Sequence, residues 1–593
     1  MAAKPLLPIV SVMASYEAEQ ERLRQMMEDV MDENNEILDD AYDDESEEAE
    51  SDHEEEQLEN SDSEQDISDV EETDEILSNS LSFIGKDGTR WRKHSSTPRT
   101  VRTRKENIIT RLPGPSAATR TLKNSLEIWE YFINDEMINM IVICTNAYIE
   151  SITDKFARSR DVLPTNVVEI RALLGLLYMA GTYHANRLNA EDLWKTDGSG
   201  VEIFRLTMSL QRFRFLLRCL RFDKKATRPE RRSSDKLAAI RDFFDLFNTN
   251  CQRGYHHSAY VTIDEMLVGF RGRCSFRQYI PSKPNKYGLK ILAICDALMF
   301  FTSKLEVYVG LQPEGPYKLS NTPYDVVLRL CQHISGSGRN VTMDNWFTSL
   351  PLIKKLLSDH KLTSIGTIRK NKREVPLEFS KPVSRPPCTS MFGFTQESTL
   401  LSYIPKKNKN VLLISTLHHH DEIDEDTGDL HKPTMITEYN RTKGGVDVVD
   451  KLTASYNVAR NTRRWPMVIF YSILNIAGIN SQVIYAANNP SITILRRNFL
   501  KQLANELILP QLRVRAVMTT LPKALKARLE EFCEPNTIEV AETIVPNAEK
   551  GRCAYCDRKK NRKTRFACFH CNKYMCLEHL GAICRCCQKN ALF

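Results

Sequence analysis

The stretch AYVTIDEMLVGF, residues 259–270, marks the point where a helical sequence pattern gives way to strands. Upstream, residues 126–250 carry apolar side chains at three- and four-residue spacing, which predicts several helices. Downstream, residues 287–310 predict two further strands joined by a turn near Asp296. The three strands follow one another without a helix, so a new structural unit begins at about residue 259.

The order of elements after residue 259 indicates the fold class. A helix opened by Thr322 and Pro323 follows the third strand, and the segment NVTMDNWF (340–347) predicts a fourth strand. A second helix and the strand KLTSIGTIR complete the order βββαβαβ. This order fits an RNase H-like sheet, which is a mixed α/β fold.

The segment 373–434 breaks this alternation. It has a Pro-rich start, a hairpin-like pair of apolar runs and a polar loop, HHHDEIDEDTGD, that lacks the spacing of a calcium loop. We predict an inserted, mostly β module whose polar loop is solvated. Helices follow, and the apolar run 465–487 is interrupted by Ser, Asn and Gln. We therefore predict a buried helix there rather than a membrane span.

Three aspartates occupy comparable places in this pattern. Asp264 lies in the first strand, Asp344 follows the fourth, and Asp447 opens a late helix with Asp450 three residues on. Strands one and four are neighbours in an RNase H-like sheet, so their ends bring two carboxylates together. Crowded carboxylates raise one another's pKa unless cations hold them. The set predicts a site for two hard cations that act on a phosphodiester, whereas each aspartate alone is more typical of a turn or a cap.

The charge of the chain is divided between two regions. Residues 1–80 hold 29 acidic and 3 basic residues, and the other 513 residues hold 48 acidic and 78 basic residues. The acidic region is too poor in apolar residues to fold, so we predict disorder and sites for an acid-directed kinase. The basic remainder predicts a nucleic-acid partner. Tethering the two charges predicts that the acidic tail competes with DNA.

Several segments together resemble the piggyBac family of DNA transposases. They are AYVTIDEMLVGFRGRCSFRQYIPSKPNKYGLKI, RNVTMDNWFTSLPL, IGTIRKNKREVP, NRTKGGVDVVDK and RRWPM. The resemblance implies an RNase H-like core whose DDD triad is Asp264, Asp344 and Asp447, with Asp450 at a further acidic position. It also implies cutting at transposon ends through hairpins, scarless excision and integration at TTAA. The cofactor expected at the triad is a pair of Mg2+ ions, with Mn2+ as a substitute.

Basic and aromatic residues near the triad are candidate DNA contacts. The density of positive charge between the first two strands suits phosphate contacts, and a solvated hairpin is the alternative. The basic candidates are Arg271, Arg273, Arg277, Lys283, Lys286 and Lys290. Trp346 is interpreted as a core residue. Trp465 fits a core residue at the start of a helix and a base-stacking residue equally well, and the resemblance favours DNA.

The last 41 residues hold eight of the sixteen cysteines. Their spacing, C-x2-C-x11-C-x2-C-x4-C-x2-H-x4-C-x2-C, predicts two structural zinc sites in a domain too small to fold without metal. The predicted ligands are Cys553, Cys556, Cys568, Cys571, Cys576, His579, Cys584 and Cys587. Cross-brace pairing is favoured over sequential pairing, and Cys586 could replace Cys587. The resemblance implies that this domain reads the transposon's terminal repeats.

The domain boundaries follow from these patterns. They predict a disordered tail and linker (1–115), a helical dimerisation and DNA-binding domain in two parts (116–258 and 457–535), an RNase H-like domain in two parts (259–372 and 435–456), the insertion (373–434), a linker (536–552) and the zinc-binding domain (553–593).

The function expected is that of a nuclear, homodimeric transposase acting on double-stranded DNA, with no membrane partner. A domesticated DNA-binding descendant is the main alternative, and the three aspartates favour the enzyme. A ubiquitin-ligase or chromatin-reader module would leave those aspartates unexplained.

Overall fold

The computed structural model describes most of the chain between residues 81 and 533. The described residues are 55–56, 65–66, 81–95, 108–109, 111–281, 283–381, 385–492, 494–533, 551–557, 562–564 and 573–575. The chain divides into two compact units, Met1–Pro510 and Gln511–Phe593. The larger unit contains the whole of the main sheet and the helices that pack on it.

The first part of the larger unit is mainly helical, as predicted. Short strands precede it: β1 (Glu55–Glu56), β2 (Gln65–Asp66), β3 (Ser82–Ile84), β4 (Arg90–Arg92) and β5 (Gly114–Pro115). The helices are α1 (Ser125–Phe132), α2 (Asp135–Ser151), α3 (Val167–Thr182), α4 (Ala190–Trp194), α5 (Glu202–Thr207), α6 (Leu210–Cys219), α7 (Arg228–Arg232) and α8 (Arg241–Gly254). The Asn166 side chain caps α3 by accepting a hydrogen bond from the Glu169 N–H, which satisfies one of the unpaired N–H groups of the first turn.

Strands and helices then alternate. The next strands are β6 (Tyr255–His256), β7 (Tyr260–Gly269), β8 (Gln278–Tyr279), β9 (Tyr287–Asp296), β10 (Thr302–Val307), β11 (Asn340–Met343), β12 (Thr363–Thr367), β13 (Thr389–Phe394), β14 (Thr399–Ile404) and β15 (Lys409–Ser415). The helices among and after them are α9 (Pro323–Cys331), α10 (Leu350–Ser358), α11 (Leu377–Ser380), α12 (Thr434–Thr442), α13 (Gly445–Ser455), α14 (Trp465–Asn488), α15 (Arg496–Ala516) and α16 (Lys523–Phe532). A two-stranded ribbon follows, of β16 (Gly551–Arg552) and β17 (Lys563–Thr564).

The centre of the main sheet has the strand order β10-β9-β7-β11-β12. Strand β7 pairs antiparallel with β9 and parallel with β11, and β11 pairs parallel with β12. The element order predicted from residue 259 onward is therefore confirmed, as is the pairing of the first strand with the fourth. The parallel pairs require crossovers, which α9 and α10 supply.

The segment 373–434 extends this sheet. Strand β15 pairs antiparallel with β12, and β14 and β13 follow it outward to β4 and β3. The predicted hairpin is present as part of a three-stranded meander. It continues the hydrogen-bonded ladder of the central strands, so the inserted strands and the central strands share one sheet.

The two faces of the central sheet are covered by different helices. Val261 and Ile263 of β7 pack in one apolar cluster with side chains of α9 and α10. Successive residues of a strand point to opposite faces, so Thr262 and Asp264 point to the other face. Thr262 there donates a hydrogen bond to the carbonyl oxygen of Thr442, at the end of α12. Helices α12 and α13 thus cover the face that carries Asp264.

Helix α14 is long and apolar enough to cross a membrane, with a mean hydropathy of 1.5 in its most apolar 18-residue window. Within the protein, 89% of that window is buried. Its side chains pack on several helices of the same unit; Phe470, for example, contacts Phe222 and Phe243. The prediction of a buried helix at this position is confirmed.

Candidate active site

Asp264 and Asp344 lie side by side at neighbouring positions of two parallel strands. The register pairs Ile263 of β7 with Met343 of β11, so Asp264 is the next residue of β7 and Asp344 is the first residue after β11. Neighbouring strands are about 4.8 Å apart. Two residues before each aspartate, Thr262 and Thr342 both hydrogen-bond to Thr442. Both aspartates consequently face α12 and α13, as the predicted strand order requires.

Asp344 also shapes the turn that follows β11. One of its carboxylate oxygens, Oδ1, accepts hydrogen bonds from the N–H groups of Trp346 at 2.9 Å and Phe347 at 3.3 Å. The Thr348 hydroxyl donates to the Asp344 carbonyl oxygen at 2.7 Å. Asp344 is therefore both a turn residue and a member of the carboxylate set. The two interpretations of a strand-end aspartate are compatible because a carboxylate has two oxygens.

Asp447 is brought to the site by the start of α13. Gly445 approaches β7 so closely that an added Cβ would lie 2.4 Å from the Thr262 hydroxyl oxygen. A glycine is the residue that allows this approach. Asp447 follows in the first turn of the helix and is exposed, and Asp450 lies one turn later and is half-buried. The two residues are spaced to share one side of the helix.

The electrostatics show that these carboxylates act on one another. Burial is the largest cause that raises the pKa of Asp264 well above its ordinary value, followed by the charges of Glu265, Asp344 and Asp447. Burial also raises the pKa of Asp450, and Asp447 adds to that effect. Lys283 opposes the rise in both cases. Strand β7, the turn after β11 and helix α13 thus bring five acidic side chains close enough for their charges to interact. They are Asp264, Glu265, Asp344, Asp447 and Asp450.

The donor set fits hard divalent cations. Carboxylate oxygens are the ligands that Mg2+ and Mn2+ prefer, and mutual repulsion among them is relieved when a cation binds. Glu265, the neighbour of Asp264 on β7, points to the opposite face of the strand; it is 4% exposed, and its Oε2 atom has no hydrogen-bond partner among the described residues. Across that same part of the chain, no three or more His, Cys, Asp or Glu side chains stand close enough to hold a metal ion as they are. Binding therefore requires the side chains to converge.

Comparison with known proteins identifies the family. Residues 124–482, more than half of the chain, match the family model described as Transposase IS4. A solved structure, described as a piggyBac transposase synaptic complex with hairpin DNA, is 37% identical and superposes with a TM-score of 0.68. That match covers 80% of this chain and 100% of the other. The chain belongs to the piggyBac family of transposases.

Human relatives are more distant than the solved structure. PiggyBac transposable element-derived protein 3 of Homo sapiens is 24% identical over 367 residues, which are 59% of this chain and 59% of that protein. PiggyBac transposable element-derived protein 5 of Homo sapiens is 20% identical over 390 residues, covering 63% of this chain and 72% of that protein. The chain thus spans about three-fifths of the length of the first of these relatives.

The basic hairpin between β7 and β9 presents its predicted DNA contacts unequally. Arg271, Arg273 and Lys286 are exposed, as a phosphate contact requires. Arg277 is half-buried and donates to the carbonyl oxygen of Gly272 at 3.1 Å. Lys283 is also half-buried and turns toward Glu265. The hairpin combines a solvent-facing cationic surface with cations that point into the protein.

Lys290 requires a correction. Its side chain is fully buried, and its ammonium nitrogen lies 4.3 Å from the centre of the Trp346 ring. Lys290 is paired with Leu267 across the strands, so it lies on the opposite face of the sheet from Asp264. A lysine in this position has no surface from which to reach a phosphate. It packs against Trp346, in the turn that carries Asp344.

The two tryptophans are both packed against the protein. Trp346 is half-buried against the apolar cluster on the α9 and α10 face, as predicted. Trp465, at the start of α14, is 5% exposed, and its ring meets Phe276 edge-to-face at 5.0 Å. Base stacking by Trp465 remains a prediction that requires this contact to open. The Arg464 guanidinium donates hydrogen bonds to backbone carbonyl oxygens at the end of α6.

The zinc-site prediction falls largely outside the described residues. Cys553 and Cys556 are described, in a segment where the Cys553 N–H donates to the Arg562 carbonyl oxygen at 3.0 Å. The other six predicted ligands lie outside: Cys568, Cys571, Cys576, His579, Cys584 and Cys587. The two zinc sites and their pairing stay predictions.

Two features of the site were missed in the sequence. Glu265 belongs to the carboxylate field, and the DE pair at 264–265 was its only local signal. Arg369 donates to the Asn345 side chain at 3.1 Å and so supports the turn after β11. No local pattern indicates that contact, because it joins two strands through their loops.

Proposed function

We propose that this chain is a cut-and-paste DNA transposase with an RNase H-like catalytic core. The observation that carries the proposal is the placement of Asp264 on β7 beside Asp344, the first residue after β11, with Asp447 on the helix above them. The central strand order β10-β9-β7-β11-β12 supports the choice of core. Family membership supports the reaction class.

The carboxylates are the groups that would hold the catalytic cations. Asp264, Asp344 and Asp447 would hold two Mg2+ ions, or Mn2+ in their place, with Asp450 as a further acidic neighbour. Bound in this way, the cations would activate the attacking oxygen and stabilise the leaving oxygen of a phosphodiester. The short turn after β11 keeps Asp344 in place while one of its oxygens is used for capping.

DNA would approach over the basic hairpin beside the carboxylates. Arg271, Arg273 and Lys286 are exposed there and would neutralise phosphates. Phosphate contacts of this kind fix the position of the duplex and carry no sequence information. Sequence recognition would come from the Cys-rich end acting on the terminal repeats, with two structural Zn2+ ions.

The remaining steps follow from the family. We infer excision through hairpin intermediates without a scar, integration at TTAA, action as a homodimer that holds two transposon ends, and residence in the nucleus. The structural relative, a piggyBac transposase synaptic complex with hairpin DNA, supports the hairpin step. An acid-directed kinase acting on the tail at Ser51, Ser61, Ser63 and Ser68 is part of the same proposal.

The test is excision of a TTAA-flanked reporter in cells, with the terminal repeats of the chain's own element. The intact chain is compared with Asp344→Asn and with Asp429→Asn, which makes the same chemical change at an exposed position of a short 3-10 helix. Scarless excision by the intact chain and by Asp429→Asn, and none by Asp344→Asn, is the expected result. Equal excision by all three proteins would overturn the assignment of Asp344.

A domesticated DNA-binding protein is the second candidate. The human relatives at 20–24% identity carry names that describe them as transposable element-derived. Under this alternative the intact chain would bind terminal-repeat DNA and leave the reporter uncut. The presence of Asp264, Asp344 and Asp447, with charges that act on one another, favours the enzyme.

A further inference from the structure

Lys283 points away from solvent and into the acidic end of β7. Its ammonium nitrogen donates to the carbonyl oxygen of Glu265 at 3.3 Å and lies 3.6 Å from the Glu265 carboxylate oxygen Oε1. The Lys283 side chain is 22% exposed and that of Glu265 is 3% exposed. A lysine in a solvated hairpin would keep its charge in water, so this orientation indicates a specific attraction.

The loop that carries Lys283 is anchored at both ends. The Ile280 N–H donates to the Lys286 carbonyl oxygen at 2.9 Å, and the Lys283 N–H donates to the Ile280 carbonyl oxygen at 3.2 Å. Ile280 is 1% exposed. Pro284 follows Lys283 and narrows the conformations of the turn. Lys283 is thus held over β7 by backbone bonds and a buried anchor.

The charges that act on Lys283 include those of Glu265, Asp264, Asp447 and Asp450. Burial alone lowers the pKa of Lys283, and the charges of Glu265, Asp264, Asp447 and Asp450 outweigh it, so the pKa is raised. The reciprocal effect is that Lys283 lowers the pKa of Asp264 and Asp450. The Lys283 ammonium group, which contacts Glu265, therefore offsets part of the negative charge that Glu265, Asp264, Asp447 and Asp450 carry.

We propose that Lys283 is the internal counter-cation of these carboxylates, holding them together before metal binds and being displaced when metal and DNA arrive. The inference rests on the proposed function, because it assumes that the carboxylates hold divalent cations. Lys283 is then a positioning residue that competes with metal in the DNA-free protein. The displaced ammonium would be available to a DNA phosphate, so metal loading and DNA binding would support each other.

The hairpin itself supplies a control for this proposal. Lys286 lies three residues after Lys283 on the same loop and is exposed. Lys286→Gln removes the same charge from the same hairpin without touching Glu265. A general effect of hairpin charge on metal binding would affect both variants equally, whereas displacement of a counter-cation is confined to Lys283.

The experiment measures Mn2+ binding to the full-length, DNA-free protein at low temperature by electron paramagnetic resonance of the unbound ion. We expect Lys283→Gln to bind Mn2+ about tenfold more tightly than the intact chain, because one opposing charge is removed close to the metal. We expect Lys286→Gln to match the intact chain. Equal Mn2+ affinity of Lys283→Gln and Lys286→Gln would overturn the proposal.

A second measurement needs no substitution. The intact chain is acetylated with a limiting amine-reactive reagent, and the extent at Lys283 and Lys286 is read by mass spectrometry with and without Mg2+. Displacement predicts a several-fold rise at Lys283 and no change at Lys286 when Mg2+ is added. An unchanged rate at Lys283, under conditions where Mn2+ binding has been demonstrated, would contradict the inference even if Lys283→Gln failed to fold.

Failure of the Lys283 role and failure of the metal site give different results. Loss of Mn2+ binding in Asp344→Asn, combined with unchanged binding in Lys283→Gln, removes only the role of Lys283. Absence of Mn2+ binding in the intact chain removes the metal site and with it both the proposed function and this inference.

Discussion

Asp264 of β7 and Asp296 of β9 lie on paired strands, but their carboxylates have opposite surroundings. The Asp296 carboxylate accepts hydrogen bonds from the Ser258 hydroxyl at 2.8 Å and from the N–H groups of Leu298 and Met299 at 2.9 Å each. Asp264 accepts one from the neighbouring Glu265 N–H and is otherwise set among like charges. A satisfied carboxylate stabilises a turn, and a crowded one is available for chemistry.

The largest difference is expected when each aspartate is tested for activity. Asp264→Asn should lower excision by at least about 1000-fold, because it removes a charge that the metal requires. The same change should leave the free energy of unfolding unchanged or raised, since it also removes repulsion. Excision assays and urea unfolding of one protein preparation measure both. A large loss of stability in Asp264→Asn would place it with Asp296 as a structural residue.

The reverse outcome is expected at Asp296. Asp296→Ala leaves several backbone and hydroxyl donors without their acceptor, so the free energy of unfolding should fall by about 3 kcal/mol. Urea denaturation is the measurement, and Asp429→Ala, at an exposed position of a short 3-10 helix, is the matched control. A stability equal to that of the control would show that the turn at residues 297–301 forms without its cap.

The position of the third carboxylate can be moved without changing any charge. Gly445→Ala places a methyl group 2.4 Å from the Thr262 hydroxyl oxygen, which pushes the start of α13 away from β7. We expect excision to fall about tenfold and unfolding stability to fall by about 1 to 2 kcal/mol. Gly444→Ala is the control, because an added Cβ there meets nothing within 4 Å. Equal activities of the two variants would mean that α13 tolerates the shift.

A further prediction concerns the pH dependence of stability at the end of the sheet near Asp296. Burial lowers the pKa of both His257 and His333 to about 3. The unfolded chain then binds more protons than the folded chain between about pH 6.5 and pH 3. The stability that these histidines contribute is therefore complete above about pH 6.5 and is lost as pH falls through this window.

The slope of this loss is the quantity to measure. Each histidine should contribute about 1.4 kcal/mol per pH unit to the decline within the window. His257→Leu should reduce the slope of unfolding free energy against pH, whatever its effect on absolute stability. His94→Gln, at an exposed site, should leave the slope unchanged. An unaltered slope in His257→Leu would show that His257 is protonated in the folded chain.

Asp264 is expected to act in the opposite direction in the metal-free protein. Its pKa is raised, so the folded state binds the extra proton and the repulsion grows as pH rises above the ordinary pKa of about 3.8. The advantage in stability of Asp264→Asn over the intact chain should accordingly increase from acid toward neutral pH. The two buried histidines and Asp264 thus differ in the sign of their pH dependence.

Much of the core could be read from local patterns. The turn at Asp296, the helix that begins after Thr322, and the buried helix from Trp465 were all predicted and found. These features depend on short-range properties, namely turn chemistry, capping and apolar content. The adjacency of Asp264 and Asp344 was also reached, because strand order restricts which strands become neighbours.

The hairpin between β7 and β9 could not be read in the same way. Lys283, Lys286 and Lys290 are alike in sequence, yet one faces the carboxylates, one faces solvent and one is buried against Trp346. The strand segment 373–434 was predicted as a separate module, and its strands continue the central sheet. Local composition does not indicate which distant strand a segment will pair with, or which distant side chain a residue will contact.

The sequence by itself determined the residue types and their order: the strands, the three aspartates, the basic hairpin and the cysteine spacing. The tertiary structure decided what each charge does. Register across β7 and β11 placed Asp264 beside Asp344, the close approach at Gly445 brought Asp447 above them, and the fold of the hairpin turned Lys283 inward. The physical reason is that the energy of a charge depends on burial and on neighbours that are distant in the chain.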